Sequence, residues 1–131
     1  MIGCAIEVHR ALGPGLLESV YETCLAEEFA HQGVQFTRQV LVPIVYRAKK
    51  LDYELRVDFV IEGALLLELK SVEHLLPVHK SQVITYVNLL DLPQGLLINF
   101  NVSKLVDGVI SILGRQRGSA SSVEEKDRLN E

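Results

Sequence analysis

RVDFVIEGALLLELK, residues 56–70, is the stretch that determines the predicted fold. It joins two apolar, β-branched runs, 51–61 and 64–71, through Glu62-Gly63, a pair typical of a hairpin turn. A third run of the same kind, 35–45, precedes them. We therefore predict three consecutive antiparallel strands.

Helices are predicted before these strands. Apolar residues near helical spacing indicate a short helix over Ile2–Leu12, which Gly13-Pro14-Gly15 would end. From Leu17 to about Gln32 the apolar positions follow the i, i+3, i+4, i+7 rule, and Gly33 stands where a helix terminator is expected. This second helix is the longest and clearest in the sequence.

The chain after the strands predicts one more helix and a short buried strand. Pro77 suits the first turn of a helix running to about Leu90, and Leu96–Phe100 reads as a strand. Val106–Leu113 fits either a last helical turn or an edge strand. The core order is thus α, β, β, β, α, β, which indicates an α/β fold.

Length and composition indicate one folded domain. A chain of 131 residues is too short for two hydrophobic cores, and 48% hydrophobic residues suit a mostly buried sheet. We place the domain at residues 1–114 and expect 115–131 to be a disordered tail, since its Gly, Ser and alternating charges offer no apolar face. The sequence has neither a signal peptide nor an apolar run long enough to cross a bilayer, so we expect a cytoplasmic protein without a membrane partner.

Charge is unevenly distributed along the chain. The net charge of -4 argues against holding nucleic acid by bulk electrostatics alone. From Arg38 to Arg56, however, five basic residues stand against two acidic ones. That segment could face a polyanion, or it could be a strand edge protected by solvated Lys and Arg side chains.

Three polar residues in the strands are candidates for chemistry. Because side chains alternate across a strand, Glu68 and Lys70 must share one face. A two-residue turn at Glu62-Gly63 would pair Asp58 with Leu67, whereas a three-residue turn through Ala64 would pair Asp58 with Glu68. We predict the odd-length turn, which brings Asp58 to the same site.

Burial gives a reason for such a shared site. Glu68 and Lys70 lie inside an apolar stretch, and an unpaired charge there would cost several kcal/mol. Two carboxylates held together favour a cation between them, which is how oxygen-rich Mg²⁺ or Mn²⁺ sites are built. A lysine beside the attacking water can orient it and balance negative charge in the transition state. The alternative is an internal ion pair of Lys70 with a carboxylate, without chemistry.

The two longer helices offer further candidates. By helical angle Glu18 falls inside the apolar arc of its helix, so its carboxylate is predicted to aim at the core and join the site. Gln82 and Tyr86 are four residues apart and share a helix face, where an amide and a phenol could hold a water, a carboxylate or a phosphate. The alternative is a polar helix face with Tyr86 half-buried.

These residues resemble a known family. Gly15-Leu16-Leu17-Glu18-Ser19-Val20-Tyr21 has the form of the motif that names the GxxExxY proteins, and similarity extends over residues 2–113. It includes these further segments: Ile6–Arg10, Arg56–Asp58, Glu68–Lys70, Pro77–His79 with Gln82, Thr85 and Tyr86, and Gly95–Asn101. The family is placed in the PD-(D/E)xK nuclease superfamily, whose restriction-endonuclease-like core has the order αβββαβ and a mixed four-stranded sheet between helices.

The resemblance implies a role for each candidate. Asp58 corresponds to the superfamily's aspartate, Glu68 and Lys70 to its E-x-K, and Glu18 to the carboxylate from its first core helix. Gln82 and Tyr86 resemble the Q-x-x-x-Y of its exonuclease branch.

The function expected on these grounds is Mg²⁺- or Mn²⁺-dependent hydrolysis of phosphodiester bonds in DNA. Metal ligands would be Asp58, Glu68 and Glu18, Lys70 would assist the water, and Gln82 and Tyr86 would position the strand. An RNA substrate is not distinguished by the sequence. The alternative is a noncatalytic nucleic-acid-binding or protein-interaction module with the same fold, and a homodimer or a protein partner could supply a missing recognition surface.

Overall fold

The computed structural model describes residues 1–115, which form three α-helices and a five-stranded sheet. In chain order the elements are α1 (Ile2–Leu12), α2 (Glu18–His31), β1 (Phe36–Tyr46), β2 (Lys49–Ile61), β3 (Leu65–Lys70), α3 (Pro77–Leu89), β4 (Gln94–Asn99), a 3-10 turn (Leu105–Gly108) and β5 (Val109–Leu113). The predicted order of helices and strands is confirmed. Apart from Arg115, the predicted tail lies outside the described residues.

The sheet is mixed, with strand order β1-β2-β3-β4-β5. Strands β3 and β4 are parallel, and the other neighbours are antiparallel. The prediction of four strands was wrong: β5 adds a fifth on the outer side of β4. Both structures predicted for residues 106–113 are present, the 3-10 turn first and the edge strand after it. The sequence could not decide between them because so short an apolar run fits either structure. This arrangement is consistent with the restriction-endonuclease-like fold.

Helices cover both faces of the sheet. Phe59, Leu67 and Ile98 pack with α1 and α2 in one apolar cluster. Val60 and Leu66 face the other way and pack with α3 in a second cluster. The apolar stretch around Glu68 is therefore buried on both sides, as its composition predicted.

The turn between β2 and β3 has the predicted odd length. Glu62, Gly63 and Ala64 form the turn, and Ile61 pairs with Leu65. Glu62 and Gly63 adopt φ values of 51° and 69°, a region that glycine enters without steric cost. This register directs Asp58 toward Glu68.

Strands β1 and β2 extend well beyond the rest of the sheet. They pair from Phe36–Ile61 to Tyr46–Lys49, whereas β2 pairs with β3 only over residues 59–61. We call the protruding part, residues 43–54, the hairpin arm. None of the helices within residues 1–115 is long and apolar enough to span a membrane.

Candidate functional site

Asp58 and Glu68 meet where β2 and β3 separate. Pairing of these strands ends at Phe59–Leu67. Beyond that row the Asp58 backbone N–H donates to Glu68 Oε1 (2.8 Å), and the Leu69 N–H donates to Asp58 Oδ2 (2.8 Å). Each carboxylate thus bonds to the opposite strand in place of the backbone ladder. We call this reciprocal pair the carboxylate clip.

The strand alternation changes at Asp58. Val57 packs on the α3 side of the sheet, whereas Phe59, two residues later, packs on the α2 side. Opposite Asp58, Gln39 of β1 has φ 51° and drops out of the pairing between Arg38–Phe59 and Val40–Val57. The register is the same on both sides of Gln39, so the backbone changes direction here without an inserted residue. The change coincides with the switch of faces between Val57 and Phe59.

Burial makes the ionised clip costly. The pKa of Glu68 is raised to about 8, first by burial and then by the charge of Asp58, while the Asp58 N–H and Lys70 oppose the rise. Burial likewise raises the pKa of Asp58 to about 6, the Leu69 N–H opposes this, and Glu22 and Glu18 add to it. At neutral pH the clip therefore retains a proton unless a cation joins it.

Lys70 follows Glu68 by two residues and is half-buried. Its backbone is held by β4, since the Phe100 N–H donates to Lys70 O (2.9 Å). Its ammonium lowers the pKa of Glu68, yet within residues 1–115 it forms no ion pair closer than 4.0 Å. The predicted alternative, a closed Lys70–carboxylate pair, is therefore not what the structure has.

Glu18 does not point into the core as its helical angle predicted. It is the first residue of α2 and is exposed, because a residue in the first turn can turn its side chain away from the helix body. Its charge nevertheless contributes to raising the pKa of both Asp58 and Glu68. Glu18 thus lies close enough to act on the clip electrostatically, and its role as a ligand stays a prediction.

The loop before α2 is fixed by the other residues of the GxxExxY motif. The buried Tyr21 hydroxyl donates to Gly13 O (2.5 Å) and accepts from the Leu16 N–H (3.2 Å). Ser71, directly after Lys70, donates to Leu16 O (2.5 Å), and Gly15 supplies the φ of 97° that the loop requires. The motif therefore holds the start of α2 against the end of β3.

Two residues at the site were missed by the sequence analysis. Glu22 accepts hydrogen bonds from Arg38 (2.9 Å) and Gln39 (2.9 Å), and Gln39 Nε2 also reaches Asp58 Oδ1 (3.5 Å). The i, i+4 spacing of Glu18 and Glu22 could have indicated Glu22, since such residues share a helix face. Nothing local marks Gln39, because it reaches the site only through strand pairing.

Gln82 and Tyr86 lie on α3. Gln82 is exposed, and Tyr86 is half-buried against the apolar cluster beneath α3. Within residues 1–115 no hydrogen bond or ion pair joins either side chain to Asp58, Glu68 or Lys70. Their positioning role stays a prediction.

The clip has the chemistry of a divalent-cation site. Within the described part of the chain, no three His, Cys, Asp or Glu side chains converge into a complete metal site. Two carboxylates do converge, and their burial and mutual repulsion favour a hard cation. Mg²⁺ is commonly held by one or two carboxylates, with water and substrate phosphate as the remaining ligands. Asp58 and Glu68 therefore fit such an ion.

A buried carboxylate pair and a nearby lysine, set where two strands of a mixed sheet diverge, place the chain among α/β proteins with a nuclease-like site. The family model of the PD-(D/E)XK nuclease superfamily matches residues 1–112. The chain belongs to this superfamily. Its nucleases act on nucleic acids and generally use divalent metal ions. Comparisons with curated proteins and with solved structures gave no match.

Proposed function

We propose that the chain is a metal-dependent nuclease of the GxxExxY type, which hydrolyses phosphodiester bonds in DNA. Asp58 and Glu68 would hold Mg²⁺ or Mn²⁺, with Glu18 contributing a further carboxylate from α2. The observation that carries the proposal is the carboxylate clip, because it buries two acidic groups that repel each other. Beside them lies Lys70, which has no ion-pair partner among residues 1–115. Membership of the PD-(D/E)XK nuclease superfamily supports a nuclease-like function.

Each residue has a separable task. When bound, the cation would polarise the phosphate and lower the pKa of water. Asp58 and Glu68 would hold the cation as carboxylates, with the proton that the clip retains at neutral pH released to solvent. The Lys70 ammonium orients the attacking water and balances negative charge as it develops on the phosphate. Gln82 and Tyr86 position the nucleic-acid strand from α3.

Cleavage assays test the proposal. Linear single-stranded, linear duplex and branched DNA, and RNA of the same sequence, are incubated with Mg²⁺ or Mn²⁺ and with wild type, Glu68→Gln or Lys70→Ala. Glu68→Gln keeps the oxygen that accepts the Asp58 N–H but removes the charge, so the local fold should survive. Metal-dependent cleavage by wild type, lost in both variants, is the expected result, and the more rapidly cut polymer identifies the substrate.

Two controls make the assay decisive. Thermal unfolding must show that each variant is folded and no less stable than wild type by more than a few degrees. Mn²⁺ binding measured by calorimetry should weaken in Glu68→Gln and persist in Lys70→Ala. Folded wild type that neither binds Mn²⁺ nor cleaves any of the polymers contradicts the proposal.

One observation favours a second candidate, a noncatalytic nucleic-acid-binding module. Asp58 Oδ2 and Glu68 Oε1 are each already bonded to a backbone N–H, so the clip also fastens β2 to β3. In that case Glu68→Gln would leave nucleic-acid binding unchanged, and wild type would cleave none of the polymers.

A further inference from the structure

The hairpin arm carries a group of cations that the site does not use. Arg47, Lys49 and Lys50 lie at its tip, and all three are exposed. Within residues 1–115 none of these three side chains forms an ion pair or a hydrogen bond. Arg38 and Arg56 differ: Arg38 pairs with Glu22, and Arg56 bonds to Gln39 O (3.1 Å). The cations near the site are engaged, and those at the tip are available.

Two exposed tyrosines lie on the arm, Tyr46 beside these cations and Tyr53 between the acidic residues Asp52 and Glu54. Tyr46 is 66% exposed and pairs across the strands with Lys49. Tyr53 is 69% exposed and lies in the irregular segment of β2 where pairing shifts between Val42 and Ile44. Exposed aromatic rings interleaved with cations are the means by which proteins bind nucleic-acid strands, with bases stacked on rings and phosphates on cations.

The turn at the tip has an uncommon backbone. Arg47 and Ala48 have φ values of 54° and 64°, where two-residue hairpin turns strongly prefer Asn-Gly. Arg47 thus occupies a backbone conformation that asparagine adopts at lower energetic cost. Such strain commonly accompanies a binding or catalytic role.

The arm continues the strand segments that border the site. Gln39 contacts Asp58, and Gln39 O accepts from Arg56 at the base of the arm. From Gln39 to Val45, which pairs with Lys50, six residues at about 3.3 Å each place the tip roughly 20 Å from Asp58.

A second copy of the chain is a poor occupant of the arm. Pro43 removes a backbone donor from β1, which disfavours addition of another strand at this edge. Like cations at two tips would also repel each other. A polyanion suits the charge of the tip, where Arg47, Lys49 and Lys50 lie beyond the two acidic residues of the arm, Asp52 and Glu54. The tyrosines favour a polyanion with accessible bases.

We propose that the hairpin arm binds a single strand of nucleic acid leading away from the carboxylate clip, with phosphates on Arg47, Lys49 and Lys50 and bases stacked on Tyr46 and Tyr53. This rests on the proposed nuclease function for the identity of the ligand. Binding by the arm requires no divalent cation, so the two proposals can fail separately.

Binding measured in EDTA tests the arm without cleavage. Fluorescence anisotropy of a labelled single-stranded oligonucleotide, and of its duplex, is followed over a range of salt concentrations with the full chain. The triple variant Arg47→Asn, Lys49→Gln, Lys50→Gln removes the charges while giving the turn a residue it prefers. We expect single-strand affinity to fall about tenfold or more, and the log–log salt slope to fall by about 2, at about 0.7 per phosphate contact.

Matched variants separate arm binding from bulk charge. Arg10→Gln, Lys104→Gln, Arg115→Gln removes three exposed cations elsewhere and should change single-strand affinity less than about twofold. Tyr46→Thr with Tyr53→Thr removes both rings and replaces them with a residue that also favours strands. It should lower single-strand affinity about fivefold or more, with little effect on duplex. Equal losses in the two triple variants, tyrosine variants that bind like wild type, or tighter binding of duplex than single strand would each overturn the proposal.

The design distinguishes this proposal from the nuclease proposal. Arm-dependent binding by a protein that never cleaves would leave the arm proposal standing alone. Metal-dependent cleavage by a protein whose arm variants bind normally would leave only the nuclease proposal.

Discussion

Residues 57–61 of β2 are covered by helices on both faces of the sheet, whereas residues 49–56 of the same strand run into the hairpin arm. In the inner half, Val57, Phe59 and Ile61 are buried, and Asp58 is held by the backbone of β3. In the outer half, Lys49, Lys50 and Tyr53 are exposed and lack such bonds in the described chain. An ionised side chain in the inner half destabilises the folded chain because it is buried. An ionised side chain in the outer half stays in contact with water and carries no such cost. In the two proposals, the reaction takes place where water is excluded and strand binding takes place where water has access.

The largest expected effect is on catalysis. Asp58→Asn should lower the rate of metal-dependent cleavage by about a hundredfold or more, because a charged ligand is replaced by a neutral amide that still accepts the Leu69 N–H. Lys50→Gln, in the outer half, should change the rate only a few-fold at saturating substrate. Single-turnover assays would measure both, and a comparable loss in the two variants would remove the distinction between the halves.

Stability should depend on pH through the inner half. Because the folded pKa of Glu68 lies near 8, above its usual value, the folded chain binds more protons than the unfolded chain between about 4.5 and 8. The free energy of unfolding should therefore fall as pH rises through that window. Glu68→Gln removes this loss and should be more stable than wild type at pH 8.5, by on the order of a few kcal/mol, and similar to it near pH 4.5.

Denaturant unfolding at the two pH values would measure this difference. Adding Mn²⁺ at the higher pH should reduce the difference in stability between wild type and Glu68→Gln, because a bound cation relieves the repulsion between the carboxylates of wild type. Lys50→Gln is the control and should follow the wild-type pH profile. A wild-type chain that gains stability over this pH range would contradict the raised pKa.

A smaller effect is expected from two tyrosine hydroxyls. Tyr21→Phe keeps the ring stack on Phe100 (4.5 Å between centroids) but leaves Gly13 O and the Leu16 N–H without their partner. It should lower the free energy of unfolding by about 1–2 kcal/mol and reduce cleavage, because the loop before Glu18 loosens. Tyr53→Phe in the arm should leave stability unchanged within about 0.5 kcal/mol. Denaturant unfolding compares the pair, and equal effects would show that burial is not the cause.

The smallest expected effect concerns the turn at the arm's tip. Arg47→Asn should raise the free energy of unfolding by a few tenths to about 1 kcal/mol, because asparagine tolerates positive φ better than arginine. Arg47→Ala removes the same charge, but alanine does not tolerate positive φ as asparagine does. The difference in the free energy of unfolding between the two variants therefore measures the backbone effect alone. Thermal unfolding is the measurement. Lower stability in Arg47→Asn than in Arg47→Ala would show that the arginine side chain stabilises the turn.

Local periodicity was sufficient for most of the fold and part of the site. Alternation of side chains placed Glu68 and Lys70 on one strand face, and helical spacing located α2 within one residue of its start. The register of Asp58 was one of two alternatives, and the pairing of Ile61 with Leu65 decides for the three-residue turn. Asp58 and Glu68 could be predicted to meet because only a short turn separates their strands.

Other features depended on contacts between distant segments. Gln39 and Glu22 reach Asp58 through pairing of β1 with β2 and through packing of α2, across 16 or more residues. Glu18 is exposed because a side chain in the first turn of a helix can turn away from the direction that helical spacing predicts. Residues 109–113 form β5 because they pair with the edge of β4.

The sequence by itself determined the elements, their order and the E-x-K face, because periods of 2 and 3.6 residues act within a single element. Only the tertiary structure decided the surroundings of the carboxylate clip, the fifth strand and the projection of the hairpin arm. Those features depend on which surfaces other segments cover, and no local period encodes them.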